Sequence, residues 1–122
     1  MEESKEYRIQ YYVDYKGRSL VEDYIDRLSK KEQLKVFSYL EILKDNKGYL
    51  DEPYSKHIKG KIRELRVGFS KNHHRIFYFT FINKKIILLH SFLKKTKKIP
   101  SKEITKAINN YQDFLINYNK YE

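Results

Sequence analysis

The chain has 122 residues, 40% of them hydrophobic, and carries a formal net charge of +10. This length predicts one domain over residues 1–122 with a single core, and 12 Tyr and 7 Phe argue against global disorder. The lack of cysteine excludes disulfides and zinc–thiolate sites, while the absence of a signal segment or long apolar run leads us to expect a cytoplasmic protein.

Tyr7 to Tyr15 is rich in aromatic and β-branched residues, stops at Lys16-Gly17, and reads as a first strand. Ser19 and Glu22 have the spacing of a capping box, and the helix they open carries Val21, Tyr24, Ile25 and Leu28 on one stripe. Ser29 and Glu32 repeat the pattern. A second helix follows with Leu34, Val36, Phe37, Leu40 and Leu43 inward, ending near Asn46 to Gly48. The two helices form a hairpin whose apolar side must lie on a sheet. Tyr49 to Gly60 contains Pro53, shows no periodicity, and reads as a loop. Ile62 to Phe69, His73 to Ile82 and Lys85 to Leu93 are joined by short turns and read as an antiparallel meander. Beyond Pro100, Ser101 can cap a last helix with Ile104, Ala107, Ile108, Tyr111 and Leu115 on one face, and the tail after Leu115 is expected to fray. The expected class is α+β in the order β-α-α-β-β-β-α, a mainly antiparallel twisted sheet with the helical hairpin on one face. The last helix is expected at an edge or end, leaving the other face open for binding.

Charge is unevenly distributed. Residues 1–52 hold 10 Lys/Arg against 12 Asp/Glu, and residues 53–122 hold 16 against 4. Such asymmetry is a footprint for nucleic acid or an acidic protein, the alternative being a solvated basic surface. Leu65 and Val67 are natural core residues, so period 2 turns Glu64 and Arg66 outward. The short turn that follows brings Arg66 towards Arg75; alternatively, each arginine pairs with a carboxylate such as Glu64. Lys94, Lys95, Lys97 and Lys98 leave the last strand close to Arg75. Lys56, His57, Lys59 and Lys61 approach from the opposite end and are expected to line a groove that positions RNA, as are Lys97 and Lys98. His73 and His74 point to opposite faces and cannot share a metal. His90, on the strand side of Leu88, Phe92 and Lys94, reads as structural. No metal or cofactor is expected.

The sequence has no nucleophilic-serine motif, phosphate-cradling glycine loop or metal-binding carboxylate pair. Arg, Lys, His and Tyr suffice for RNA cleavage by the substrate's own 2′-hydroxyl. Arginine neutralises phosphate charge, lysine moves a proton, and aromatic rings stack bases.

The run YSKHIKGKIRELRVGF, then HHRIFYF, then IILLHSFLKKTKKIPSKEITKA resembles the HigB-type (phage Gp49-like) toxins of the RelE/ParE superfamily. The resemblance covers essentially the whole chain and is most specific at Glu64-Leu65-Arg66, Arg75 to Tyr78, and Phe92 to Pro100. It implies a RelE-like fold and the toxin of a type II toxin–antitoxin system. The implied activity is that of an mRNA interferase, a metal-independent, ribosome-dependent endoribonuclease, and the implied partner is a separate HigA-like helix-turn-helix antitoxin. It also implies that Arg66 and Arg75 contact the scissile phosphate and that Lys94 or Lys95 transfers a proton. Arg63 stands where the resemblance would place an aromatic or apolar residue. The alternative on the same fold is a ParE-like inhibitor of DNA gyrase, or a non-catalytic module binding nucleic acid or protein.

Overall fold

The computed structural model describes residues 6–121. It comprises β1 (Arg8–Tyr11), α1 (Leu20–Asp26), α2 (Lys30–Asp45), β2 (Ser55–Lys59), β3 (Ile62–Phe69), β4 (Asn72–Phe81), β5 (Lys85–Leu93) and α3 (Ser101–Asn117). The strands form one mixed sheet in the order β1-β5-β4-β3-β2. β1 runs parallel to β5, and every other pairing is antiparallel. The class is α+β as expected, with one more strand than expected. β2 lies within the segment read as a loop, so the order becomes β-α-α-β-β-β-β-α. Its sequence SKHIK turns only Ser55 and Ile58 inward, and a short polar edge strand leaves no apolar alternation to detect.

One face of the sheet lies under the helical hairpin. Leu65 and Val67 of β3, Ile76 and Tyr78 of β4, and Ile86 and Leu88 of β5 pack against Val21, Ile25, Val36, Leu40 and Leu43. The buried stripe of α2 is thus Val36, Leu40 and Leu43, while Leu34 and Phe37, expected inward, are 69% and 43% exposed. The two capping boxes differ as well. Glu32 N–H donates to Ser29 Oγ at 3.2 Å, which in turn donates to Glu32 Oε1 at 3.0 Å. Ser19 makes no such bond, and its buried hydroxyl has no partner among the described residues.

The second face is not open. α3 lies across it, with Ala107 and Phe114 packed on Ile62, Phe77, Phe79, Ile87, Leu89 and Phe92. The expected edge position is not observed, and the helix continues to Asn117, two residues past Leu115. Phe114, which is 1% exposed, anchors it in place of Leu115 at 38%. A bulge in β5 helps to fit this cover. Phe77 is paired with His90 and Tyr78 with Leu88, which leaves Leu89 as the extra residue. Asn110 of α3 donates to the Leu89 carbonyl at 2.8 Å. The bulge turns Leu89 and His90 towards α3 and Leu88 towards the hairpin. His90 therefore does not share a side with Leu88.

Candidate functional site

α3 covers its face only in part. Its first turn reaches the sheet where Glu103 meets His90, in the row Glu64–Phe77–His90. The next row is Arg66–Arg75–Phe92. In the row after that Gly68 is paired with His73, and the Lys94 N–H donates to the His73 carbonyl at 2.8 Å. Strand alternation forces this arrangement: Leu65, Val67 and Ile76 enter the hairpin core, so Arg66 and Arg75 must face the other way. The expected convergence of the arginines is found, and they are direct cross-strand partners.

A buried carboxylate holds them together. Glu64 is fully buried, its Oε1 accepts from Arg66 Nε at 2.8 Å and lies 3.6 Å from Arg75 Nε, and its Oε2 has no partner among the described residues. Convergence and pairing with Glu64, read from the sequence as alternatives, thus occur together. Two guanidinium groups on one carboxylate leave an excess positive charge, to which Lys94 adds. Arg66 uses only Nε on Glu64, so its terminal fork is free of partners among the described residues. Such a fork matches the oxygens of a phosphate. Arg75 donates from Nη1 to the His74 carbonyl at 3.1 Å. Burial pulls its pKa below the usual arginine value; Glu64 opposes that shift and Arg66 adds to it.

Behind this face, β4 is fastened to the hairpin. His74 Nε2 donates to Glu32 Oε2 at 2.7 Å, since a carboxylate only accepts, and its Nδ1 lies 2.7 Å from the Tyr24 hydroxyl. Asn72 donates to the same Glu32 oxygen at 2.9 Å. The bonds from Asn72 and His74 hold the Glu32 pKa at about 2, against the effect of burial. Burial, helped by the charge of Glu32, pushes Tyr24 up to about 12. The strand that carries Arg75 is therefore fixed to both hairpin helices through His74, its immediate neighbour, and Asn72 at the strand's start. The capping-box spacing of Ser29 and Glu32 was the only sequence signal of this network.

The other expected site residues are dispersed. Lys56 is paired with Glu64 and shares the arginine face one strand further out, with Nζ 4.0 Å from Glu52. His57 does not join that face. Its pairing with Arg63 puts it on the hairpin side, where Nε2 contacts the Gly60 carbonyl at 2.8 Å. Lys59 and Lys61 flank the β2–β3 turn at Gly60, about 16 Å along the strand from Arg66. Lys95, Lys97 and Lys98 are exposed in the segment after β5. Arg63 is used structurally. It donates to Ser55 Oγ and to the Leu50 carbonyl, both at 3.1 Å, and lies 4.5 Å from the centre of the Tyr49 ring. His90 is engaged with Glu103 at 2.9 Å and stacked on Phe92, and burial lowers its pKa although Glu103 opposes the shift. Among the described residues no group of three or more His, Asp or Glu side chains could hold a metal ion, and no helix is long and apolar enough to cross a membrane.

Fold and site together define an α+β protein whose mixed sheet exposes paired arginines over a buried carboxylate. Residues 23–112, from α1 into α3, match the model of the family described as Phage derived protein Gp49-like (DUF891). The chain belongs to that family, one of RelE/HigB-like toxins. No match to a curated protein was found.

Proposed function

We propose that this chain is the toxin of a type II toxin–antitoxin system and a metal-independent, ribosome-dependent endoribonuclease acting on mRNA. The observation that carries this reading is the cross-strand pair Arg66 and Arg75, seated on buried Glu64, with the Arg66 fork free of partners among the described residues. A phosphodiester placed on the two guanidinium groups meets preorganised donors where charge builds up during attack by the 2′-hydroxyl. Because Glu64 already fixes the side chain at Nε, little rotamer freedom remains to be lost on binding. Lys94, in the next row, supplies a further cation, and Lys56 extends the basic face across β3 towards the sheet edge. The expected partner is a HigA-like helix-turn-helix antitoxin. If it covers this face, its affinity falls as salt rises.

Expression of the chain, followed by mapping of mRNA 5′ ends, tests the reading. New ends inside open reading frames support it, whereas intact transcripts with a DNA-damage response would favour the gyrase inhibitor. Arg66→Ala and Arg75→Ala are each expected to abolish growth arrest while retaining the wild-type circular dichroism spectrum. Full toxicity in both variants would remove the phosphate assignment.

A further inference from the structure

Three of the four histidines are engaged by the protein. His57 meets the Gly60 carbonyl on the hairpin side, His74 has both ring nitrogens occupied, and His90 is held by Glu103. His73 differs: it is exposed, and its ring has no partner among the described residues.

Alternation along β4 puts His73 on the face of Arg75 and Phe77, because His74 and Ile76 between them turn to the hairpin. Two residues of strand separate the backbones of His73 and Arg75 by about 7 Å, so both side chains can reach the same phosphate and its neighbouring ribose. The neighbour of His73 on β3 is Gly68, where an added Cβ would meet nothing within 4 Å. The floor beside the imidazole is therefore open. On its β5 side, the Lys94 backbone bonds to the His73 carbonyl. The charged groups around it are Arg66 and Arg75 on the face, Lys94 and Lys95 after β5, Lys71 in the preceding turn, and Glu64 beneath the arginines.

We propose that His73 is the general base of RNA cleavage at this site, with Lys94 as the acid; this rests on the ribonuclease reading above. An imidazole titrates near neutrality and can accept a proton there, an arginine cannot, and a lysine ammonium is suited to donate. The 2′-hydroxyl proton passes to His73 as the 2′-oxygen bonds to phosphorus. The bond from phosphorus to the 5′-oxygen breaks, and that oxygen takes a proton from Lys94. The products are a 2′,3′-cyclic phosphate and a 5′-hydroxyl, and no co-reactant is needed.

The test is single-turnover cleavage of a defined mRNA on programmed ribosomes by the full chain, by His73→Ala and by His73→Gln, from about pH 5.5 to 8.5. The wild-type rate should rise through the imidazole range and then level. Both variants should cut about 10²- to 10⁴-fold more slowly and lose that rising limb. Their affinity for the same RNA carrying a 2′-deoxy sugar at the cleavage position should not change, and added imidazole should restore part of the His73→Ala rate. Variants that keep the wild-type rate and limb, or slow without altering the limb, would overturn the role of His73 and leave the ribonuclease reading intact. A wild-type chain that cuts no RNA would overturn both.

Discussion

The two faces of the sheet handle polarity in opposite ways. On the hairpin face, the buried polar side chains of the strands have partners: His74 between Glu32 and Tyr24, and Ser55 Oγ 2.8 Å from the Tyr78 hydroxyl. On the α3 face, beyond the first turn of that helix, the Arg66 fork has no partner among the described residues, and Glu64 Oε2 and Arg75 Nε are buried without hydrogen bonds to them. A buried polar atom left without a hydrogen bond costs about 1–3 kcal/mol. The hairpin face is built for stability. On the α3 face the charged groups are instead held against one another, with only the terminal fork of Arg66 left over.

The sharpest way to break this contrast is to compare one polar residue from each face. His74→Ala removes a 2% exposed ring and leaves Glu32 and Tyr24 without it. It should destabilise the chain by about 3 kcal/mol in chemical denaturation. Arg66→Met should cost less than about 1 kcal/mol, since Arg75 remains beside Glu64 and the repulsion between the arginines disappears. Equal losses in the two variants would mean that the arginine pair is structural.

An acid titration sharpens the same comparison. The folded-state pKa of Glu32 is about 2, below the value of an unfolded glutamate near 4.3. Its contribution is therefore complete above about pH 4.3 and is lost as pH falls towards 2. Glu32→Gln should be less stable than wild type at pH 7, and the gap should narrow at pH 3. A gap that stays constant with pH would show that the network does not depend on the charge of Glu32.

Much of the arrangement can be read in the sequence because strand alternation is strict. Leu65 and Val67 place Arg66, and a short turn then places Arg75. The same rule carried a warning about the face expected to be open. Ile86, Ile87, Leu88 and Leu89 are four consecutive apolar residues in one strand, and all are buried. Such a run means that both sides of the strand are covered; Phe77-Tyr78-Phe79 repeats the message in β4. Other features were illegible for physical reasons. β2 has too few apolar residues to show a period. The β5 bulge is bonded to Asn110, 21 residues away, and the Glu32–His74 bond joins residues 42 apart. Glu64 was visible as a possible partner, but its complete burial follows from Arg66 and Arg75 lying over it.

The smallest expected effect separates two caps that look alike in sequence. Ser29→Ala removes the acceptor for the Glu32 N–H and one of the bonds that orient the carboxylate beneath His74. A lost N-cap of this kind costs about 1 kcal/mol. Ser19 has the same spacing to Glu22, yet its hydroxyl is buried and bonds to none of the described residues. Ser19→Ala deletes an unsatisfied polar atom, so stability should stay within about 0.5 kcal/mol of wild type or rise. Urea midpoints of the two variants measured side by side decide the point. If they were equally destabilised, Ser29 would owe nothing to its place in the polar network behind Arg75, and the fastening of β4 to the hairpin would rest on His74 and Asn72 alone.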